Sequence, residues 1–513
     1  GMHTYLGPNQ RKFDFDIWTP PHSPVGAQAD AVVGLTGASD PTRHLILPTG
    51  IPTHLFCSAQ ILVPMTGELV IAGGDVWKDS EGAASNLGTN EANVFRPTAN
   101  NMVPNPGGAM SGARWYATPT TLPNGEMYIQ GGTDGAAVYG GGVPINTTTV
   151  EIRNPDTGQF RTLTNINTTP LQNNYPRNWI APDGKIFGWD HQKLYRIDWA
   201  GAGTLTMLPD TGIPWHNGWA TTSTSVMYRP GKILQVGGVE ADFVNDREAK
   251  DGLETQIIDI NAMVPGAPVT TTPSITYGPR IHQKRQWGNS TVLPDGKVVL
   301  MGGSERNVLD DQSDWSKRGA DAMNVEIFDP EANGGQGSWT LGPAQQRFRL
   351  YHSIALLLPN GTVLSAAGGW PGPQTFYDAE VYYPPYLFNA DGSYATRPRL
   401  ASVRQSDRAV VAGGANPSVA PSSTLELESP DAANVVRVTI IKTGSVTHSI
   451  NFEQRFLELG SVAAGTIARV GERLQVKLPA NPFETPPGFY MAFLVDAQVV
   501  PSEAQIFRIE PSR

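Results

Sequence analysis

Apolar residues fall in short paired runs along most of this chain. Each pair is split by a tight glycine turn and closed by a glycine or a glycine pair. Residues 61–74 show the pattern: Ile61–Leu62–Val63, a turn at Thr66–Gly67, Leu69–Val70–Ile71, then Gly73–Gly74. It returns with turns at Asn124–Gly125, Asp183–Gly184, Pro230–Gly231, Asp295–Gly296 and Asn360–Gly361. The corresponding ends are Gly131–Gly132, Gly188, Gly237–Gly238, Gly302–Gly303 and Gly368–Gly369. Runs this short, bounded by turn residues, predict β-hairpins. Several are followed by an outer strand and an acidic turn, as at 325–331.

Successive glycine ends lie about 50 to 66 residues apart, near the kelch period of about 50. A four-stranded sheet cannot bury both faces alone, so such units stack radially and close into a propeller. Six units are clear. A seventh is expected to be shared between residues 1–45 and the region just before 395, with residues 13–20 as its outer strand and an incomplete N-terminal part. The expectation is an all-β chain with a seven-bladed kelch-type β-propeller over 1–394. From 395 to 513 the strands are short and lack glycine pairs, which predicts an immunoglobulin-like β-sandwich.

Composition supports this reading. The chain has 513 residues, with 55 Gly, 43 Pro and only 16% charged residues, favouring a turn-rich all-β protein. Its net charge of −10 and lack of a Lys/Arg cluster argue against nucleic acid as a partner. No apolar run is long enough to span a membrane. The single cysteine, Cys57, excludes an internal disulfide.

A propeller gathers the starts of its inner strands near its axis, so the residues just before each hairpin are candidates for a site. Tyr116 lies nine before Gly125, Trp287 nine before Gly296, Tyr351 ten before Gly361 and Cys57 ten before Gly67. His352 follows Tyr351, and His448 lies on a predicted turn of the second domain. Singly, each has a plainer reading: a packed tyrosine with its hydroxyl bonded, an inert buried thiol, a core or loop histidine. Together, two imidazoles and two phenols make an N2O2 set suited to Cu(II).

The motifs HisLeuPheCys at 54–57, AlaArgTrpTyr at 113–116, ArgLeuTyrHisSer at 349–353 and ThrHisSerIleAsnPheGluGlnArg at 447–455 occur in the order of a known family. From about residue 50 to its end the chain resembles the galactose oxidase and glyoxal oxidase family of copper radical oxidases, its bacterial branch most of all. The resemblance implies a thioether between Cys57 and Tyr116, with Tyr116, His352 and His448 as equatorial Cu(II) ligands. Tyr351 would be the axial ligand and general base, and the Cys57–Tyr116 group would carry the radical. O2 would be the acceptor, H2O2 the product, and small aldehydes, primary alcohols or glycan ends the substrates. Galactose oxidase stacks a tryptophan on its cross-linked tyrosine from two residues after a glycine pair. Here that position is Asp134, which argues against galactose. Trp287 is the preferred replacement for that indole; for Trp115 core packing is preferred. Arg177 falls where the family keeps a substrate-binding arginine, with an ordinary surface arginine the alternative. The resemblance also implies a protein outside the cytoplasm, extracellular or in the cell envelope, and a monomer is expected. The competing reading is a non-catalytic propeller serving as a carbohydrate-binding or structural module. Loops at 75–90, 133–146 and 306–323 are expected to shape the pocket.

Overall fold

The computed structural model describes residues 2–6, 13–18, 31–34, 44–47, 51, 53–77, 84–135, 145–209, 222–238, 252–304, 322–368, 379–408 and 416–512. Nearly all regular structure is β. The chain forms two compact units. One comprises Gly1–Pro21, Thr36–Asp210 and Met263–Thr272; the other comprises His22–Leu35, Thr211–Ala262 and Pro273–Arg513.

The first unit holds three four-stranded antiparallel sheets, each running in chain order from an inner hairpin outward. They begin at the hairpins Ala59–Leu62/Leu69–Ala72, Trp115–Thr121/Met127–Thr133 and Arg177–Ile180/Ile186–Asp190. The second strands Leu69–Ala72, Met127–Thr133 and Ile186–Asp190 are buried at every position, whereas outer strands such as Asn101–Pro104 and Thr204–Met207 are largely exposed. A strand buried on both faces needs a neighbour on each. Ile61, Val63, Val70 and Val94 of the first sheet supply one by packing with Met127 of the second. Each such side chain contributes about 1.5–3 kcal/mol on full burial.

The second unit repeats the arrangement with the hairpins Thr224–Arg229/Lys232–Val236, Asn289–Val292/Val298–Met301 and Ile354–Leu357/Val363–Ala366. The last of these sheets is completed by Ala31–Gly34, which pairs antiparallel with Ala379–Tyr383. Here the sequence expectation needs correcting. Phe13–Trp18 is the middle strand of a separate three-stranded sheet, between Met2–Leu6 and His44–Leu47. Any strand carries hydrogen-bonding groups on both backbone edges, and here both edges of Phe13–Trp18 are taken, while Ala31–Gly34 supplies the outer edge of the other sheet. Five four-stranded sheets, the four strands from Thr224 to Tyr277 that continue into a larger sheet, and this three-stranded one make seven blade-like sets among the described residues.

The C-terminal part is a two-sheet sandwich. Ser402–Gln405, Thr424–Glu428, Arg473–Lys477 and Ala468–Val470 form one sheet. Ile450–Ser461, Val435–Lys442, Gly488–Asp496, Gln505–Ile509 and Ser418–Val419 form the other, and a core including Leu425, Val438, Leu474 and Phe507 joins them. Ile450–Ser461 also pairs in parallel with Thr224–Arg229 of the fourth hairpin, so one sheet runs from sandwich into blade. No helix among the described residues is long and apolar enough to cross a membrane.

The glycine pairs join neighbouring sheets. Gly74 N–H donates to the Arg114 carbonyl, Gly132 to Asn173, Gly238 to Arg285 and Gly303 to Arg349, at 3.0, 2.6, 2.9 and 2.6 Å. In each case the acceptor lies at the start of the next hairpin. A Cβ on Gly302, at φ +67, would sit 2.5 Å from the Arg349 carbonyl oxygen. Three of these sheets add a buried ion pair linking the segment before the first strand to the third: Arg114–Glu151 at 2.9 Å, Arg285–Glu326 at 2.8 Å and Arg349–Glu380 at 3.0 Å. Arg114 and Arg285 also donate to the carbonyls of Gly131 and Gly302.

Gly302→Ala is therefore expected to destabilise the protein by about 3 kcal/mol, combining left-handed strain with overpacking. Gly201 is also left-handed, at φ +58, but has open space around it. Its Ala variant is expected to lose only about 1 kcal/mol. Midpoints of guanidinium unfolding compare the two; equal shifts would refute the role given to the glycine corner.

Candidate metal centre

At the start of five of the six hairpins one residue takes a backbone conformation that side chains rarely adopt. Cys57, Tyr116, Tyr175, Trp287 and His352 have φ of +59, +74, +47, +61 and +69. A bulky residue there costs about 1–3 kcal/mol and persists only where surrounding structure holds it. Backbone bonds do so: Tyr116 N–H donates to the Cys57 carbonyl at 3.1 Å, Tyr175 to Tyr116 at 2.9 Å, and Trp287 to Thr222 at 2.8 Å. The shared conformation also corrects the register. His352, nine residues before Gly361, is the counterpart of Tyr116 and Trp287; Tyr351 stands one place earlier. The tenth residue before Gly67 matches because that turn is longer: Gly67 N–H bonds back to Val63, whereas Gly125 and Gly361 bond to Leu122 and Leu358.

In the first unit the Cys57 thiol and the Tyr116 side chain are hydrogen-bonded to each other. Cys57 is buried, and burial, with the Asp75 charge adding to it, pushes its thiol well above the ordinary range. A thiol in this state is a poor ionic nucleophile. Its placement against a phenol is what distinguishes it from an inert core cysteine. Trp115 lies flat on Tyr116, with ring centroids 3.8 Å apart at 12°, and Tyr175 stacks on Tyr116 at 4.6 Å and 27°. The indole placed on Tyr116 by these contacts is thus Trp115, where the sequence favours core packing. The reason is local: the left-handed turn at Tyr116 folds its ring back over its neighbour.

In the second unit Tyr351, His352 and His448 come together. Ring centroids are 3.7 Å apart for Tyr351–His352, 5.2 Å for Tyr351–His448 and 4.5 Å for His352–His448. One ring nitrogen of His352 and one of His448 lie within 4.8 Å of each other. His448 reaches this position on a two-residue hairpin turn between Ser445–Thr447 and Ile450–Ser461. His448 and Ser449 both have positive φ, +48 and +65, as a primed turn requires. Thr447 Oγ1 holds His448 Nδ1 at 2.7 Å, so Nε2 is the nitrogen His448 can offer a metal. Burial lowers the His352 pKa to about 3, keeping the imidazole in the neutral form that ligates metals. Trp287 is buried and packs on Tyr351 at 4.5 Å.

Arg177 is buried, not a surface residue. It donates to the Tyr175 carbonyl at 2.7 Å. Burial lowers its pKa to about 9 against the raising effect of Asp190. Asp134 accepts from Ile145 N–H at 2.9 Å. Tyr175 was missed from the sequence although it too stands nine before its turn glycine, Gly184; the same back-count applied to that unit finds it. Of the expected pocket loops, residues 78–83, 136–144 and 306–321 lie outside the described residues.

His54, next to this cluster in sequence, is fully buried, and burial brings its pKa to about 3 against a backbone hydrogen bond that raises it. Between pH 6.5 and 3 the unfolded chain binds a proton that folded His54 does not. Stability of the metal-free protein is therefore full above pH 6.5 and falls on acidification, by up to about 1.4 kcal/mol per pH unit for this group. Thermal midpoints from pH 7 to 4 are expected to drop less steeply in His54→Asn, and parallel curves would refute the assignment.

Residues 36–388 match the family described as glyoxal oxidase N-terminus, and residues 397–509 the galactose oxidase-like early set domain. A galactose oxidase of Gibberella zeae is 24% identical over 521 residues, covering 96% of this chain and 67% of the fungal protein. An aldehyde oxidase of Arabidopsis thaliana is 24% identical over 477 residues, covering 88% of this chain and 71% of its own. A solved fungal alcohol oxidase of the AA5 family, in complex with copper, superposes with a TM-score of 0.73 at 21% identity. That match covers 97% of this chain and 95% of the other, a likeness of fold. With a family pattern spanning most of its length, the chain belongs to the glyoxal oxidase and galactose oxidase family of copper radical oxidases.

Proposed function

We propose that this protein oxidises small aldehydes or primary alcohols, glycan ends included, with O2 as acceptor and H2O2 as product. The observation that carries the reading is the buried Cys57 thiol held on Tyr116, in a chain that also gathers Tyr351, His352 and His448. A non-catalytic propeller has no use for that thiol–phenol contact. Tyr116, Tyr351, His352 and His448 are the residues that would hold Cu(II), which supplies a one-electron acceptor and polarises the substrate oxygen.

The protein's own groups do the rest. Joining Cys57 Sγ to the Tyr116 ring makes an electron-rich phenol that gives up one electron more readily. Oxidised, it takes a hydrogen atom from the substrate carbon. Tyr351, as its phenolate, accepts the hydroxyl proton. The substrate loses two electrons and two protons, which O2 takes up as H2O2; an aldehyde enters as its hydrate and leaves as the acid. Trp115 shields one face of the Tyr116 ring. Peroxide formation and a need for O2 and copper fit work outside the cytoplasm.

Intact mass after copper loading in air is expected to fall by two hydrogens, with the Cys57 and Tyr116 peptides joined and resistant to reductant. A Cys57 that still alkylates would overturn the reading. Tyr351→Phe is expected to keep the mass loss while kcat/KM for peroxide production drops at least about 100-fold, whereas Cys57→Ser loses both.

A further inference from the structure

Tyr175 belongs to a different sheet from Cys57 and from Tyr116, yet it touches both segments. Its ring stacks on Tyr116 at 4.6 Å, and its backbone N–H donates to the Tyr116 carbonyl at 2.9 Å. Its hydroxyl donates to the carbonyl of Ser58, the residue after Cys57, at 3.4 Å. Two near-parallel rings cannot share one face of a phenol at 3.8 and 4.6 Å without overlapping, so Trp115 and Tyr175 hold Tyr116 from opposite sides. Tyr175 is itself anchored. It is 1% exposed, Arg177 grips its carbonyl at 2.7 Å, and Asn173 N–H is fixed to Asp190 Oδ2 at 2.5 Å. The segment also lies against the glycine corner of the Tyr116 sheet, where Gly132 N–H bonds to the Asn173 carbonyl at 2.6 Å.

We propose that Tyr175 is a positioning residue for formation of the Cys57–Tyr116 thioether, clamping the Tyr116 ring and the Cys57–Ser58 backbone into bonding register. The inference rests on the oxidase reading above. The reaction removes the thiol hydrogen and one ring hydrogen of Tyr116 and forms the C–S bond; the two electrons and two protons pass to O2, giving H2O2. A ring free to rock would spend little time with its carbon facing the sulfur, because bond formation needs near-attack geometry. Stacking restricts rocking, and the Ser58 bond restricts the other partner.

Full-length protein produced without copper is loaded with Cu(II) in air, and the two-hydrogen mass loss is followed in time. Tyr175→Leu is expected to slow cross-linking at least tenfold, while Tyr175→Phe, which keeps the ring, stays within about threefold of wild type. Should Tyr175→Leu fail to fold, Tyr175→His offers a smaller stacking ring and is expected to slow the reaction at least threefold. A merely structural role would lower the thermal midpoint of the metal-free variants and leave the rate unchanged. A wild-type rate in the folded ring-altering variant overturns this inference alone. Absence of cross-linking in wild type overturns the oxidase reading and this inference with it.

Discussion

The glycine corner sets what the rest of the structure can do. Where the second strand of a hairpin ends, the backbone turns through positive φ, and the second glycine's N–H reaches the carbonyl at the start of the next hairpin, as Gly132 does to Asn173 and Gly303 to Arg349. A side chain there would occupy the space of the neighbouring backbone. Because neighbouring sheets are joined at their first strands, the residues before those strands are held with little freedom. The buried arginines reinforce the joint: Arg114, Arg285 and Arg349 each link the segment before a first strand to a glutamate on the third. Removing one partner of such a pair typically costs about 3–5 kcal/mol.

That rigidity explains how the chain tolerates left-handed conformations at Cys57, Tyr116, Tyr175, Trp287 and His352. Each costs energy that an isolated hairpin would relieve by relaxing. Held between sheets, the conformation turns a side chain out of the strand's regular alternation and toward the strand starts of the adjoining sheets. The sandwich uses another route to the same end, with His448 and Ser449 as central residues of a primed turn. Strain and candidate chemistry therefore fall on the same residues, the association expected where a site is preorganised.

Burial then sets the protonation states. His352 and His54 stay neutral because a charged imidazole would be poorly solvated, and the Cys57 thiol stays protonated for the same reason. In the metal-free protein these groups are thus kept from ionic side reactions. Trp115 and Tyr175 stack on Tyr116, the phenol that meets the one thiol of the chain.

Much of this could be read from the residues in order. The hairpin repeats, the β-rich tail and the motifs around Cys57, Tyr116, Tyr351–His352 and His448 are local patterns, because turn chemistry and strand alternation act over a few residues. Three features could not be read that way. Ala31–Gly34, not Phe13–Trp18, completes the sheet of Ala379–Tyr383, since strand pairing across hundreds of residues depends on which edge is left open. Arg177 is buried and donates to the Tyr175 carbonyl, because an arginine's exposure is set by what packs over it. Trp115 and Tyr175 close on Tyr116 only once a left-handed backbone and a neighbouring sheet bring the rings together. The sequence by itself determined the repeat, the fold class and the chemical types at the site; tertiary structure alone decided which rings and charges meet, because those contacts join residues that no local rule relates.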